Sequence, residues 1–138
     1  MPWAGCEDLS VQTDAEAWDF ASAWVLAAVA LWKRPCSLSE VVEAGDVLNH
    51  AILLDQEVEG AMRKLLGSGL VTVTPGLEFA LTQQGAMLVD RRTGSMFSQV
   101  KSVQSLLDSV PVLSEGFTLQ RGVMQDAVDA YRERTRTR

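Results

Sequence analysis

Residues 37–89 read SLSEVVEAGDVLNHAILLDQEVEGAMRKLLGSGLVTVTPGLEFALTQQGAMLV. Up to Leu66, apolar residues recur at three- and four-residue steps, which is the spacing of one face of an α-helix. From Leu70 to Leu81 they tend to recur at every second position, which is the spacing of a β-strand. The stretch therefore predicts helices first and a β-hairpin after them.

Two helices are predicted before the hairpin. Ser37 and Glu40 form a capping box, a pattern in which each side chain satisfies the backbone N–H of the other residue at a helix start. Residues 46–54 continue as a turn or a further helical turn, and Asp55 is predicted to cap the next helix. The inward face of the first of these helices carries Val41, Val42 and Gly45, and that of the second carries Val58, Ala61, Met62, Leu65 and Leu66.

The hairpin and a fourth helix follow directly. Gly69 is predicted to adopt the left-handed conformation that ends a helix, with Leu70 folding back onto it. Strands are predicted at residues 70–74 and 78–81, joined by a turn at Pro75-Gly76-Leu77. Thr82 is predicted to cap a helix that runs to about Val89.

A long apolar helix is predicted ahead of this stretch. Thr13-Asp14-Ala15-Glu16 is a second capping box, and Pro35 stops the helix after about Trp32. Its faces are apolar nearly all round, so it must be covered by a C-terminal helix or by a second subunit.

The remainder of the chain is predicted to hold a helix at residues 96–107, a loop at 109–116 and a last helix at 118–134. The apolar stripe of that last helix comprises Val123, Met124, Ala127, Val128, Ala130 and Tyr131. The predicted organisation is an N-terminal arm at 1–12, a domain at 13–94, a helical extension at 95–134 that could pair two copies, and a basic tail at 135–138.

Charge is unevenly distributed within a net charge of −6. Residues 37–90 carry two basic and eight acidic side chains, whereas residues 91–138 carry eight basic and five acidic ones. The acidic middle is the reverse of a DNA-binding footprint. The longest apolar run, residues 23–32, is too short to span a bilayer, and no export signal is recognisable, so a cytoplasmic location is expected.

Two local motifs resemble the winged helix-turn-helix core of MarR-like and PadR-like bacterial transcriptional regulators. They are LLGSGLV at residues 65–71 and ALTQQGAML at residues 80–88. The resemblance implies a mainly α fold with a small β-hairpin wing, which is a winged helix-turn-helix with additional N- and C-terminal helices. It also implies that residues 56–66 form the recognition helix, which would enter a DNA major groove.

The first functional hypothesis is a regulator that binds duplex DNA as a homodimer. Gln56 would read a base edge, and phosphates would be contacted by Arg63, Lys64, Arg91 and Arg92. The wing tip at residues 74–77 has no Arg or Lys to add to these contacts. The alternative is a protein-interaction module without DNA binding, whose acidic face binds a basic protein partner through Asp55, Glu57 and Glu59.

The tryptophans, the histidine and the cysteines are less specific indications of a functional site. Trp18, Trp24 and Trp32 are candidates for a ligand pocket or a dimer interface, with core packing as the plainer interpretation. His50, the only histidine, has only scattered carboxylates near it in the sequence and is interpreted as a surface or helix-capping residue. Cys6 and Cys36 lack the spacing of a zinc site and are interpreted as structural thiols. No nucleophile or phosphate-binding motif occurs, so neither an enzyme nor a metal or other cofactor is expected.

Overall fold

The structure, a computed structural model, describes residues 17–136 apart from the side chain of Phe97. Within that range 59% of the residues are helical, in six α-helices and one short 3-10 turn, and three strands form an antiparallel sheet. The predicted arm at 1–12 with Cys6, the capping box at 13–16 and the end of the basic tail at 137–138 lie outside the described residues.

The elements in chain order are α1 (Phe20–Trp32), β1 (Cys36–Ser37), α2 (Leu38–Asn49), α3 (Asp55–Gly67), β2 (Val71–Val73), β3 (Glu78–Leu81), α4 (Gln83–Val89), the 3-10 turn (Met96–Ser98), α5 (Gln99–Leu107) and α6 (Val123–Arg136). The strand β3 lies between β1 and β2, with Cys36 and Val73 both opposite Phe79. β1 was not predicted, because a two-residue strand is too short to show a period of two.

Helix α1 begins later than predicted. Asp19 caps it and accepts hydrogen bonds from the backbone N–H of Ser22 at 2.9 Å and from its hydroxyl at 2.6 Å. Residues 17–19 are therefore not helical, and the start predicted at Thr13 is wrong for this helix. From Ser22 to Ala30, every residue of α1 is at most 4% exposed.

The cover of α1 comes from the chain itself. α2, α3 and α5 all pack against it extensively. Of the two predicted ways of covering this apolar helix, the C-terminal helix is the one observed. No second subunit is needed to bury α1.

The predicted cap of α2 is confirmed, and that of α3 is wrong in detail. The Ser37 hydroxyl accepts from the Glu40 N–H at 3.1 Å, and the Glu40 carboxylate accepts from the Ser37 N–H at 3.0 Å. α2 then continues to Asn49. Leu54 is the N-cap residue of α3, whereas Asp55 is its first helical residue. The Glu57 carboxylate reaches back to the Leu54 N–H at 2.9 Å, so this helix start needs no side-chain oxygen at the cap position.

The predicted helix end at Gly69 and the predicted helix start at Thr82 are confirmed. Gly69 is left-handed at φ 77°, and the N–H of the fully buried Leu70 bonds back to the Leu65 carbonyl at 3.0 Å. The Thr82 hydroxyl accepts from the Gly85 N–H at 2.9 Å at the start of α4. In the hairpin turn, the left-handed residue is Leu77, at φ 61°.

The structure also gives the positions of His50 and Cys36. His50 is exposed and ends α2 in a left-handed conformation, with its N–H bonded to the Asp46 carbonyl at 2.7 Å. Cys36 is 1% exposed, and burial raises the pKa of its thiol to about 12. These positions agree with a helix-capping histidine and a structural thiol.

The C-terminal region departs most from the prediction. α6 begins at Val123, five residues after the predicted start at residue 118, and residues 108–122 contain no helix or strand. On α6, Met124, Ala127 and Val128 are buried as predicted, whereas Ala130 is exposed. None of the helices in the described range is long and apolar enough to cross a membrane.

Candidate functional site

The outer side of α3 is covered by residues 111–119, here called the strap. The Ser68 hydroxyl accepts from the Leu113 N–H at 2.9 Å and lies 3.2 Å from the Leu113 carbonyl oxygen. A Cβ atom at Gly67 would lie 2.4 Å from that same carbonyl oxygen. The strap backbone therefore rests directly on the last turn of α3.

Further along, the strap runs antiparallel to α3. The Arg63 carbonyl accepts from the Glu115 N–H at 2.9 Å, and the Arg63 Nε donates to the Phe117 carbonyl at 2.9 Å. One turn nearer the start of α3, the Glu59 carboxylate accepts from the Leu119 N–H at 2.7 Å. Each turn of the helix from Glu59 to Gly67 thus has a contact with the strap.

These contacts identify the covered face. Glu59, Arg63 and Gly67 are four residues apart in turn and share one side of the helix. The residues buried against the core lie on a different side and are Val58, Ala61, Met62 and Leu65. The strap consequently lies on the side of α3 that points away from the core.

The first turn of α3 is left uncovered. Leu54 is 52% exposed, and Asp55 and Gln56 are exposed beside it. A cleft of about 390 Å³ adjoins this turn, between the α2–α3 loop and the start of α6. Its lining includes Leu53, Leu54, Asp55, Leu119, Arg121, Met124, Val128 and Arg132.

Lys64 has a structural partner at the start of α1. The residue is 8% exposed, and its Nζ donates to the Ala17 carbonyl at 2.7 Å and lies 3.3 Å from the Asp19 carboxylate. Burial works to raise the pKa of Asp19, but hydrogen bonds from Ser22 and the charge of Lys64 outweigh it and the pKa is lowered. Lys64 therefore forms an ion pair with Asp19 at the start of α1, and its ammonium group is turned away from solvent.

The other residues predicted to bind DNA lie on or beside different helices. Arg92 donates from Nε to the Gln99 side chain at 3.1 Å and from Nη1 to the Val89 carbonyl at 2.7 Å. Arg91 is exposed at the end of α4, a helix that packs mainly on α1, β3 and α5. Gln56 and Arg63 lie on α3, and Arg63 already contacts the strap.

The three predicted acidic residues do not form one free acidic surface. Glu57 accepts from the backbone of Leu54, and Glu59 accepts from the strap. The Asp55 carboxylate accepts from the N–H of Gln56 at 2.8 Å, within an exposed turn. Among the three, Asp55 is the residue most accessible to a partner.

The three tryptophans anchor backbone segments. Trp24 is 3% exposed and belongs to the core, while Trp18 and Trp32 are partly buried. None of them lines the cleft beside the first turn of α3. Their indole N–H groups donate to the carbonyls of Val110 (from Trp18, 2.7 Å), Gly45 (from Trp24, 2.9 Å) and Glu40 (from Trp32, 2.9 Å).

The strap leads into α6, which covers α2 in the same way. The Tyr131 hydroxyl donates to the Asp46 carboxylate at 2.6 Å. Arg134 donates to the Ser39 hydroxyl at 2.6 Å and forms an ion pair with Glu43 at 2.8 Å. Residues 111–136 thus cover both α2 and α3.

The sequence did not predict that residues 111–136 cover α2 and α3. Pro111 and Gly116 indicate a segment that is neither helix nor strand, but they do not indicate what it contacts. No group of three or more His, Cys, Asp or Glu side chains that could hold a metal ion occurs among the described residues. No protein-family model, no curated protein and no solved structure matches the chain.

Proposed function

We propose that the chain is a winged-helix protein that acts through protein contacts and does not read duplex DNA with α3. The winged-helix assignment is supported by the order of a helix, a short strand, two helices, an antiparallel hairpin and a further helix. The observation that carries the functional proposal is the strap over the outer face of α3.

Major-groove binding requires a bare helix face with groups that reach base edges. At Glu59, Arg63 and Gly67 that face is in contact with the strap backbone. The turn that stays exposed presents Asp55, a carboxylate that repels phosphates where a basic side chain would release counterions. Steric cover and charge therefore both oppose DNA binding by α3.

The exposed turn is better suited to a basic protein segment. Leu54 offers apolar surface, Asp55 offers a negative charge, and the adjoining cleft accepts an apolar side chain between Leu119 and Met124. Arg121 and Arg132, which also line the cleft, would repel a cation. A partner should therefore direct its basic residue towards Asp55 and its apolar residue into the cleft.

The DNA part of the proposal is tested with random-sequence duplex DNA in a salt titration between about 50 mM and about 200 mM. The full chain should not bind, even at the low-salt end. Binding that weakens steeply with salt and is lost in Arg63→Ala would overturn this part. Lys64→Ala is unsuitable as a probe, because Lys64 holds the start of α1.

The protein-binding part is tested with a short synthetic peptide of lysine and leucine. NMR amide shifts should be largest around Leu54 and Asp55, and Asp55→Asn should weaken binding. Asp108→Asn, which removes an exposed carboxylate after α5, is the matched control and should not. Equal weakening by both variants would mean non-specific attraction and would contradict the proposal.

A second candidate is a dimeric DNA-binding regulator in which the strap is displaced. One observation favours it: the bonds from Ser68 and Arg63 to the strap lie at exposed positions and can be exchanged for water. Gln56, Arg63, Arg91 and Arg92 would then supply the contacts. Salt-sensitive DNA binding gained by the double variant Glu59→Ala, Ser68→Ala, with none in the unmodified chain, would support this candidate over the first.

A further inference from the structure

A second cleft lies apart from the strap, between the C-terminal end of α1, the strand β3 and the helix α4. Its volume is about 490 Å³. Cavities of roughly 300–1,000 Å³ are the size that proteins use for small organic ligands. The lining residues are Val29, Ala30, Lys33, Arg34, Pro35, Ala80, Leu81, Ala86, Val89, Asp90 and Arg92.

The inner part of this cleft is apolar. Val29 and Ala30 come from the buried side of α1, and Val89 comes from the buried side of α4. Leu81 and Ala86 are partly buried and complete the surface. An apolar group that fills the cleft would therefore leave water itself and would cover the partly exposed surfaces of Leu81 and Ala86.

Two cations of this cleft, Lys33 and Arg92, form no ion pair with a carboxylate within residues 17–136. Lys33 is exposed and forms no ion pair there. Arg92 bonds through Nε and Nη1 to two uncharged oxygens, those of Gln99 and Val89, which fix the guanidinium and leave its charge uncompensated.

Arg34, the third cation of this cleft, is balanced by a carboxylate. Arg34 pairs with Glu40 at 2.7 Å and lies 4.9 Å from the ring centroid of Trp32. Asp90 is the one carboxylate that lines this cleft. With Arg34 balanced by Glu40, Lys33 and Arg92 against Asp90 leave the cleft with one net positive charge, in a chain whose net charge is −6.

We infer that this cleft binds a small organic anion with an apolar body and a single acidic group such as a carboxylate. The apolar body fills the space against Leu81, Ala86 and Val89, and the acidic group lies between Lys33 and Arg92. A purely hydrophilic anion would leave the apolar lining of the cleft in contact with water. A cation would be repelled by the positive charge of the cleft. The site shares no residue with the strap, so it is independent of the proposed protein-binding function.

The test uses two fluorescent probes of nearly the same shape: the anion anilinonaphthalene sulfonate and the uncharged phenylnaphthylamine. The anion should bind at one saturable site and more tightly than the uncharged probe. Lys33→Gln should weaken the anion about fivefold, as expected for loss of one partly exposed charge contact, and leave the uncharged probe unchanged. Lys101→Gln, the same change at an exposed position of α5, is the control and should affect neither probe.

A second variant tests the location of the site. Ala86→Phe places a ring in the cleft and should abolish binding of both probes, with near-ultraviolet circular dichroism checking that the fold is retained. Unchanged anion binding in folded Ala86→Phe would overturn the inference. Equal effects of Lys33→Gln and Lys101→Gln would overturn it too, and that comparison remains decisive even if Ala86→Phe does not fold.

Discussion

Lys64 changes its role when its surroundings are known. On a helical wheel it is one of two cations on the candidate recognition helix, but its ammonium group is buried against Ala17 and Asp19. A buried lysine is costly unless it is paired and hydrogen-bonded, and both conditions are met here. Its contribution is therefore to the stability of the junction between α1 and α3.

We predict that Lys64→Ala lowers the free energy of unfolding by about 1–2 kcal/mol, because a hydrogen bond from a charged donor is lost. Urea denaturation measures the change. Arg91→Ala is the control, since Arg91 is exposed and should change stability by less than about 0.5 kcal/mol. Equal effects of the two substitutions would contradict the structural role of Lys64.

Glu40 should make stability depend on acid pH. The hydrogen bond from Arg34 lowers the pKa of Glu40, burial opposes this, and the Ser37 N–H adds to the lowering. A carboxyl with a lowered pKa in the folded state stabilises the fold fully above its ordinary pKa. That contribution is lost as the pH falls through the folded-state pKa.

We therefore predict that the free energy of unfolding of Glu40→Gln falls less steeply below about pH 5 than that of the unmodified chain. Urea denaturation at a series of acid pH values measures the slope. Arg34→Gln should remove part of the same acid-sensitive contribution, because Arg34 is the main cause of the shift. A slope that neither substitution changes would argue against the Arg34–Glu40 pair as its source.

At the scale of an element, α3 carries two glycines in opposite surroundings. A Cβ at Gly60 would meet no atom within 4 Å, whereas one at Gly67 would lie 2.4 Å from the Leu113 carbonyl oxygen. Both lie in a helix, where alanine is intrinsically more stable than glycine by about 0.5–1 kcal/mol. They therefore form a matched pair that separates helix propensity from strap contact.

We predict that Gly60→Ala stabilises the protein by about 0.5–1 kcal/mol. Gly67→Ala should instead displace the strap and speed hydrogen exchange at the Glu115 and Leu119 amides, which donate to α3. Native-state hydrogen exchange together with urea denaturation makes the comparison. If Gly67→Ala stabilised the protein as much as Gly60→Ala, with unchanged exchange, close contact between strap and helix would be contradicted.

At the scale of the whole molecule, the chain buries its most apolar helix without a partner. α1 is surrounded by α2, α3 and α5, and its residues from Ser22 to Ala30 are at most 4% exposed. The apolar character of α1 is one reason to expect a homodimer, and the resemblance to dimeric regulators is the other. Because α1 is buried within one chain, the homodimer prediction, which is untested, loses the support of that first reason.

We accordingly expect a monomer in sedimentation experiments at micromolar concentration. The alternative is a dimer that pairs through another surface, for which the exposed Met87 (63%) and Leu113 (61%) are the natural probes. A dimer that Met87→Lys dissociates would replace the monomer expectation and identify α4 as the interface. Leu113→Lys would test the strap in the same way.

The elements that could be predicted are those with local causes. The capping box at Ser37, the left-handed Gly69 and the cap at Thr82 involve groups at most five residues apart, and the hairpin pairs residues at most ten apart. Such contacts form from neighbouring residues alone, so the sequence predicted their positions closely. It also predicted the acidic character of the exposed turn of α3.

Only the tertiary structure decided what the outer face of α3 touches. Lys64 meets Ala17 across 47 residues, and Glu59 meets Leu119 across 60 residues. The tertiary structure also decided the strand β1, whose two residues pair with β3. It likewise decided the start of α6, which is later than predicted. The sequence by itself determined the helices, the hairpin and their charges, because these depend on period and nearest neighbours. The covered face depended on packing between distant segments, which no local pattern encodes.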